Sequence, residues 1–190
     1  MKDYYTRKSR EEGYYARSVY KLKSLNKKYN IIKKGDRVLD LGCSPGGWVQ
    51  ASLEIAGKDG FVMGIDLGKV KVKAQNFKFI QGDVYDKGII NNLEKFDVVL
   101  SDMAPKTTGI RDLDQARSTG LSRQALKIAK KKLKGKGSFV CKIFQVREYT
   151  EFINEVRKEF GFVKTVKPEA SKSGSKEMYV IGKCKNTSQN

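Results

Sequence analysis

Lys142 interrupts an otherwise apolar run, Gly137-Ser-Phe-Val-Cys-Lys-Ile143, where an unpaired charge is costly to bury. A cation kept there asks for anions nearby, and two carboxylates stand at comparable places. Asp102 follows the run 96–101, and Glu177 precedes or opens the run towards Ile181. Histidine is absent, which excludes His-based triads, His acid–base catalysis and His metal sites. Any general base is therefore a Lys, Asp, Glu or Tyr. A lysine acts as a base only when it is neutral or shares its proton, and a nearby cation and nearby carboxylates push it in opposite directions. Two roles stay open for Lys142: a base, or a fixed cation that stabilises a forming alkoxide. The plain alternative for each of these side chains is a surface salt bridge.

A second group of residues suits a nucleotide-bearing ligand. Asp40-Leu-Gly42-Cys-Ser-Pro-Gly46-Gly47-Trp48 is a glycine-rich turn between a strand and a helix, where glycine lets a backbone approach a ligand closely. It is neither GxGxxG nor a Walker A loop. Asp66 lies 24 residues after Gly42, a position that suits a ribose diol. Asp83, in Gln81-Gly82-Asp83, can accept from an adenine amino group. The competing reading is a helix-start turn with two N-cap aspartates. A glycine turn, an Asp and an Asp at three successive strand ends favour the ligand.

The elements that must position these residues are strands alternating with helices. Residues 37–41, 61–66, 77–80, 96–101, 137–143, 162–166 and 178–181 read as seven strands. Helices are expected at 14–29, 46–57, 87–94, 112–133 and 147–159. That alternation predicts parallel βαβ units in a single doubly wound α/β domain over residues 1–190, with 186–190 as a disordered tail. Ligands of such sheets bind beyond the carboxyl ends of the strands, where the residues above fall.

The 190 residues carry a formal charge of +18, which points to a polyanionic partner. Residues 1–34 hold 11 Lys/Arg against 3 acids, a net +8, and interleave Tyr4, Tyr5, Tyr14, Tyr15 and Tyr20 with Arg7, Arg10 and Arg17. Aromatic faces stack bases while cations meet phosphates, so this segment reads as a nucleic-acid contact. The six lysines of 127–136 read instead as the solvated face of a helix whose apolar stripe is Leu126, Ala129 and Leu133. No apolar run approaches the roughly 18 residues of a membrane span, and the N-terminus has no secretory h-region. Three scattered cysteines without a CxxC pair predict free thiols in a reducing compartment, and no metal site is expected.

Asp40-Leu-Gly-Cys-Ser-Pro-Gly-Gly-Trp48, Ser101-Asp-Met-Ala-Pro105 and Ser175-Lys-Glu-Met-Tyr179 resemble the motifs of the FtsJ/RrmJ family of S-adenosylmethionine-dependent RNA 2′-O-ribose methyltransferases. The likeness runs from about Arg17 to Lys183, in motif order and spacing. It implies a Rossmann-like seven-stranded methyltransferase sheet, mostly parallel with an antiparallel last strand and helices on both faces. It implies that Gly46 and Trp48, in the turn with Gly42 and Gly47, cradle the methionine part of the cofactor. Asp66 would hold the ribose, Asp83 the adenine end, and Asp102 would lie close to the transferable methyl. The family's Lys-Asp-Lys-Glu set would fall on Lys21, Asp102, Lys142 and Glu177. Lys106 departs from the small polar residue expected there and suits a phosphate contact. Within the family the likeness favours a cytosolic or organellar monomer acting on large-subunit ribosomal RNA, at a uridine of the peptidyl-transferase A-loop. Enzymes acting on the tRNA anticodon loop are an alternative. A non-catalytic ribosome-assembly factor is disfavoured by the retained charges, and a nicotinamide oxidoreductase by the non-GxGxxG turn.

Overall fold

The computed structural model describes residues 4–168, 170 and 175–185, and the tail expected at 186–190 lies outside the described residues. Two helices, α1 (Tyr4–Glu11) and α2 (Val19–Tyr29), precede the sheet. Then follow β1 (Arg37–Leu41), α3 (Gly47–Ala56), β2 (Phe61–Asp66), β3 (Phe77–Gln81), α4 (Lys87–Asn91) and β4 (Phe96–Ser101). The chain closes with α5 (Arg111–Lys132), β5 (Leu133–Phe144), α6 (Tyr149–Glu159), β6 (Phe160–Val166) and β7 (Glu177–Lys185). The seven strands form one sheet in the order β3-β2-β1-β4-β5-β7-β6. β7 is inserted between β5 and β6 and runs antiparallel to both, while the other pairs are parallel.

Alternation along the strands divides the core in two. Val38, Val62, Val98, Leu100, Val140, Tyr179 and Ile181 pack with Val19, Leu22 and Leu25 of α2 and Trp48 and Val49 of α3. Leu39, Leu41, Ile65, Val99, Phe139, Cys141 and Val180 face the other way, onto Ala125 and Ile128 of α5 and Phe152 and Val156 of α6. Both faces are thus helix-covered, and the central strands read as nearly continuous apolar runs. Asp40 and Lys142 share the α2/α3 face with Val38 and Val140, because they stand two residues further along the same strands. Leu126 and Ala129 of α5 are buried and Lys127, Lys130 and Lys131 exposed, as the helical stripe predicts, whereas Leu133, also buried, opens β5, which carries Lys134 and Lys136.

The largest difference from expectation lies before the sheet. A helix over 14–29 begins only at Val19, and a separate helix precedes it. Gly13, at φ +75°, ends α1 in a Schellman motif: Tyr14 N–H donates to the Ser9 carbonyl at 2.7 Å and Gly13 N–H to that of Arg10 at 3.2 Å. Residues 14–18 are then held by tertiary contacts. Tyr15 N–H donates to Gln50 Oε1 at 2.9 Å, and Gln50 Nε2 donates to the Gly13 carbonyl at 3.0 Å. β5 begins four residues before the expected Gly137, at Leu133, with an irregularity in its pairing between Phe96 and Val98. α4 stops at Asn91 rather than continuing to 94.

Candidate active site

β1, β2, β3 and β4 end side by side, and the turns leaving them enclose a cavity of about 1040 Å³. Gly42, Asp66, Asp83, Asp102 and Lys106, five of the residues singled out in the sequence, line it together. Asp66 stands at the end of β2 and ties two turns to it. Its Oδ2 accepts from Ser44 N–H at 2.9 Å and its Oδ1 from Gly68 N–H at 2.6 Å. Asp83 Oδ1 accepts from Tyr85 N–H at 2.9 Å, a local turn that leaves the carboxylate exposed in the cavity wall. Gly42 has φ +76°, and a Cβ there would lie 2.4 Å from Met103 Cγ. Glycine is therefore what lets the turn after β1 pass against the turn after β4.

Gly46, Gly47 and Trp48 do not line this cavity. All three are buried behind the turn, under residues 15–18. Trp48 Nε1 donates to the Ser18 carbonyl at 2.9 Å, and its ring lies 5.7 Å from that of Tyr179. These residues support the glycine turn after β1 from its buried side. Trp48 faces inward because its indole N–H finds a partner there and its rings complete the core under α2.

A chain of buried polar contacts meets the cavity at Asp102. Lys21 Nζ donates to Glu177 Oε1 at 2.5 Å and to Tyr179 Oη at 3.4 Å. Tyr179 Oη donates to Asp102 Oδ1 at 2.7 Å. Lys142 Nζ donates to the Asp102 carbonyl at 2.6 Å and lies 3.1 Å from its Oδ1. The side chains of Lys21 and Lys142 are 9% and 7% exposed, so neither ion pair is a surface bridge. The four residues expected to act as a set are therefore brought together, and Tyr179 joins them. Burial, and then the Asp102 and Glu177 carboxylates, raise the Tyr179 hydroxyl well above its ordinary value, so it remains a donor at neutral pH. Sequence reasoning had included Tyr179 in a motif without a role. Its spacing of two from Glu177 on one strand was the available signal, because that spacing returns a side chain to the same face. Arg117 of α5 also lines the cavity and was missed, because one arginine on a polar helix carries no mark in sequence.

Asp40 lies fully buried on β1, and among the described residues neither carboxylate oxygen has a hydrogen-bond partner. Burial, then Asp102 and Asp66, raise it well above the ordinary carboxylate range. A carboxyl raised in the fold stabilises it in protonated form; that contribution is complete below a pH of about 4 and is lost as the pH climbs towards the raised value. Asp40→Asn is accordingly expected to melt above the wild type at neutral pH. The gap should narrow as pH falls to about 4. Melting curves of the ligand-free protein across that range check it, and a pH-independent gap would show that Asp40 does not titrate there.

The insertion of β7 between β5 and β6, with the cavity at the ends of β1 to β4, places the protein among the doubly wound methyltransferases. Comparison with known proteins narrows the class. Residues 14–185 match the family model described as FtsJ-like methyltransferase, and the chain belongs to that family. A protein of Methanothrix thermoacetophila named Ribosomal RNA large subunit methyltransferase E is 46% identical over 188 residues, 96% of this chain and 72% of that one. Its namesake in Bdellovibrio bacteriovorus is 44% identical over 95% of both chains. The solved structure of a Plasmodium falciparum protein described as a ribosomal RNA methyltransferase superposes with a TM-score of 0.78 at 27% identity, over 90% of this chain and 98% of that one.

Proposed function

We propose that this methyltransferase carries a methyl group from S-adenosylmethionine to a ribose 2′-hydroxyl of large-subunit ribosomal RNA, with a uridine of the A-loop as the target. The observation that carries this reading is Asp102, which belongs both to the cavity wall and to the buried lysine–tyrosine–carboxylate chain. A methyl donor in the cavity and an acceptor hydroxyl at the lysines would meet at that residue. The names of the relatives support the RNA class. The alternative targets, a tRNA anticodon loop among them, are outcomes of the test below.

The residues fit the cofactor. Asp66, at the end of β2, suits the ribose hydroxyls, and Asp83 the adenine amino group. Three carboxylates around one cavity suit a sulfonium cation, and Gly42 leaves room that a Cβ would fill. Bound there, S-adenosylmethionine supplies an electrophilic methyl on sulfur. The chain's own part is to hold the attacking hydroxyl. Lys142, fixed by two contacts to Asp102, is placed either as a neutral amine that accepts the hydroxyl proton or as an ammonium that stabilises the oxygen as charge develops. Glu177 holds Lys21, Lys21 donates to Tyr179, and Tyr179 holds the Asp102 carboxylate. The same reading expects a monomer in the cytoplasm, or in an organelle or the nucleus of a eukaryote.

The test is methyl transfer from methyl-labelled S-adenosylmethionine to unmodified large ribosomal subunits, with ribose methylation mapped by nucleotide. Label on one ribose of the large-subunit RNA is expected. Label confined to tRNA would move the target, and label on a base would remove the ribose assignment. S-adenosylmethionine should raise the melting temperature by mass action while NAD does not.

The basic N-terminal helix carries a further expectation. Arg7 and Arg10 are exposed on α1, and Arg7 makes an exposed i,i+4 pairing with Glu11 at 3.6 Å. Arg17 is half-buried in the segment leading into α2. Arg7→Glu with Arg10→Glu should weaken RNA binding and lower the salt slope of log K by about 2, about 1 per phosphate contact. The melting shift produced by S-adenosylmethionine should not change. An unaltered slope would move the RNA footprint off α1.

A further inference from the structure

The five N-terminal tyrosines are not equivalent. Four form a lattice: Tyr4 and Tyr5 rings stand 5.3 Å apart, Tyr5 and Tyr20 5.3 Å, and Tyr14 and Tyr20 6.0 Å. Lysines cap the lattice, with Lys8 Nζ 5.1 Å from the Tyr20 ring and Lys23 Nζ 4.4 Å from that of Tyr14. Tyr20 Oη is also engaged, donating to Glu12 Oε2 at 2.8 Å. These rings are occupied by the fold.

Tyr15 differs. It is 45% exposed, and among the described residues its ring has no aromatic, cationic or hydroxyl partner. Its backbone is nonetheless fixed by the Gln50 clip on α3. A Cβ added at Gly46 would lie 3.4 Å from Tyr15 Cδ2, so the ring rests against the glycine turn after β1. Its neighbours continue towards the reactive end. Ala16 packs on Gly47, the Ser18 carbonyl holds Trp48, Trp48 packs on Tyr179, and Tyr179 holds Asp102. An open aromatic face is thus mounted on a fixed strap that packs against the glycine turn after β1.

From this placement we infer that Tyr15 is a positioning residue for the substrate, the platform on which the target nucleobase stacks while its ribose is presented to Lys142. The inference rests on the RNA reading above and adds what orients the nucleotide. Aligned methyl transfer needs the 2′-oxygen held on one line with the methyl, and fixing the base fixes the sugar attached to it. Aromatic stacking suits this because every base has a π-face, and a tyrosine held by its backbone loses little freedom on binding. Arg7 and Arg10 on the preceding helix supply cations for the flanking phosphates.

The experiment compares wild type, Tyr15→Ala, Tyr15→Phe and Tyr15→Trp in methyl transfer to unmodified large subunits, together with the melting shift caused by S-adenosylmethionine. Tyr15→Ala should lose about tenfold or more in kcat/KM, the usual weight of one stacked base, with Phe and Trp retaining most of the rate. The cofactor shift should be unchanged in all three. In a transcript whose target nucleotide is abasic but keeps its ribose, the penalty of Tyr15→Ala should vanish, because ring and base are then both gone. Tyr15→Ala within twofold of wild type overturns the inference. So does Phe falling as far as Ala, which would assign the work to the hydroxyl, or a lost cofactor shift, which would make the ring a support of the turn. Wild-type protein that methylates no ribosomal RNA counts against the RNA reading itself, and the role of Tyr15 falls with it.

Discussion

Lys142→Ala is expected to lower methyl transfer by roughly 10²–10⁴-fold while cofactor and RNA still bind. Lys142 converges on one residue through two contacts, the carbonyl and Oδ1 of Asp102. An ammonium has three N–H donors, so one remains for an incoming hydroxyl. Alanine removes that group and leaves the Asp102 carboxylate held by Tyr179 without its cation. A melting curve separates lost chemistry from lost fold. Lys142→Arg then divides the two roles, because arginine keeps the charge but does not accept a proton. Restoration of most of the rate by arginine assigns Lys142 as a fixed cation. Continued loss with an intact melting temperature assigns it as the base. Near-normal turnover of Lys142→Ala would mean that the reaction is run elsewhere.

Gly42→Ala should be strongly damaging to both fold and site. At φ +76° an L-residue pays about 1–2 kcal/mol for the left-handed conformation. The added Cβ would lie 2.4 Å from Met103 Cγ and 3.1 Å from Met103 Cα, so the turn after β4 must move. Overpacking of that kind adds about 1–3 kcal/mol. The sum, about 2–5 kcal/mol, corresponds to a fall in Tm of roughly 5–15 °C for a chain of this size. Because Met103 follows Asp102 and lines the cavity, affinity for S-adenosylmethionine should fall as well. Gly35→Ala is the control: its φ is +81°, yet nothing lies within 4 Å of the added Cβ. It should show the conformational cost alone, with cofactor binding intact. Equal losses in the two variants would remove the contact with Met103 from the argument.

The strand ends were legible because apolar runs that stop at Asp66, Ser101 or Gln81 stop where the sheet opens to solvent. Lys142 was legible because a cation in a buried strand breaks the pattern. Tyr179 was not, since a tyrosine in an apolar strand looks like core, and it is indeed fully buried. Only the pairing of β7 with β5 sets it opposite Lys142. The stretch 14–18 was read as helix because nothing local forbids one. Its shape is imposed by Gln50 and Trp48, which lie 30 or more residues away in the chain. The inward turn of the Trp48 indole was not legible for the same reason: glycine-turn chemistry is local, whereas which way an indole points depends on what covers it.

The insertion of β7 also has a temporal side. A chain is made from its N-terminus, and domains begin to fold as they emerge. Every earlier strand can be synthesised, and β1 to β5 can pair, before residues 177–185 exist. Until then Lys21 has no Glu177, and Lys142 faces no Tyr179 across the ladder. Every upstream motif is thus made before the strand that completes the Lys21–Glu177 and Tyr179–Asp102 contacts, and the sheet closes around the last of its strands to be synthesised.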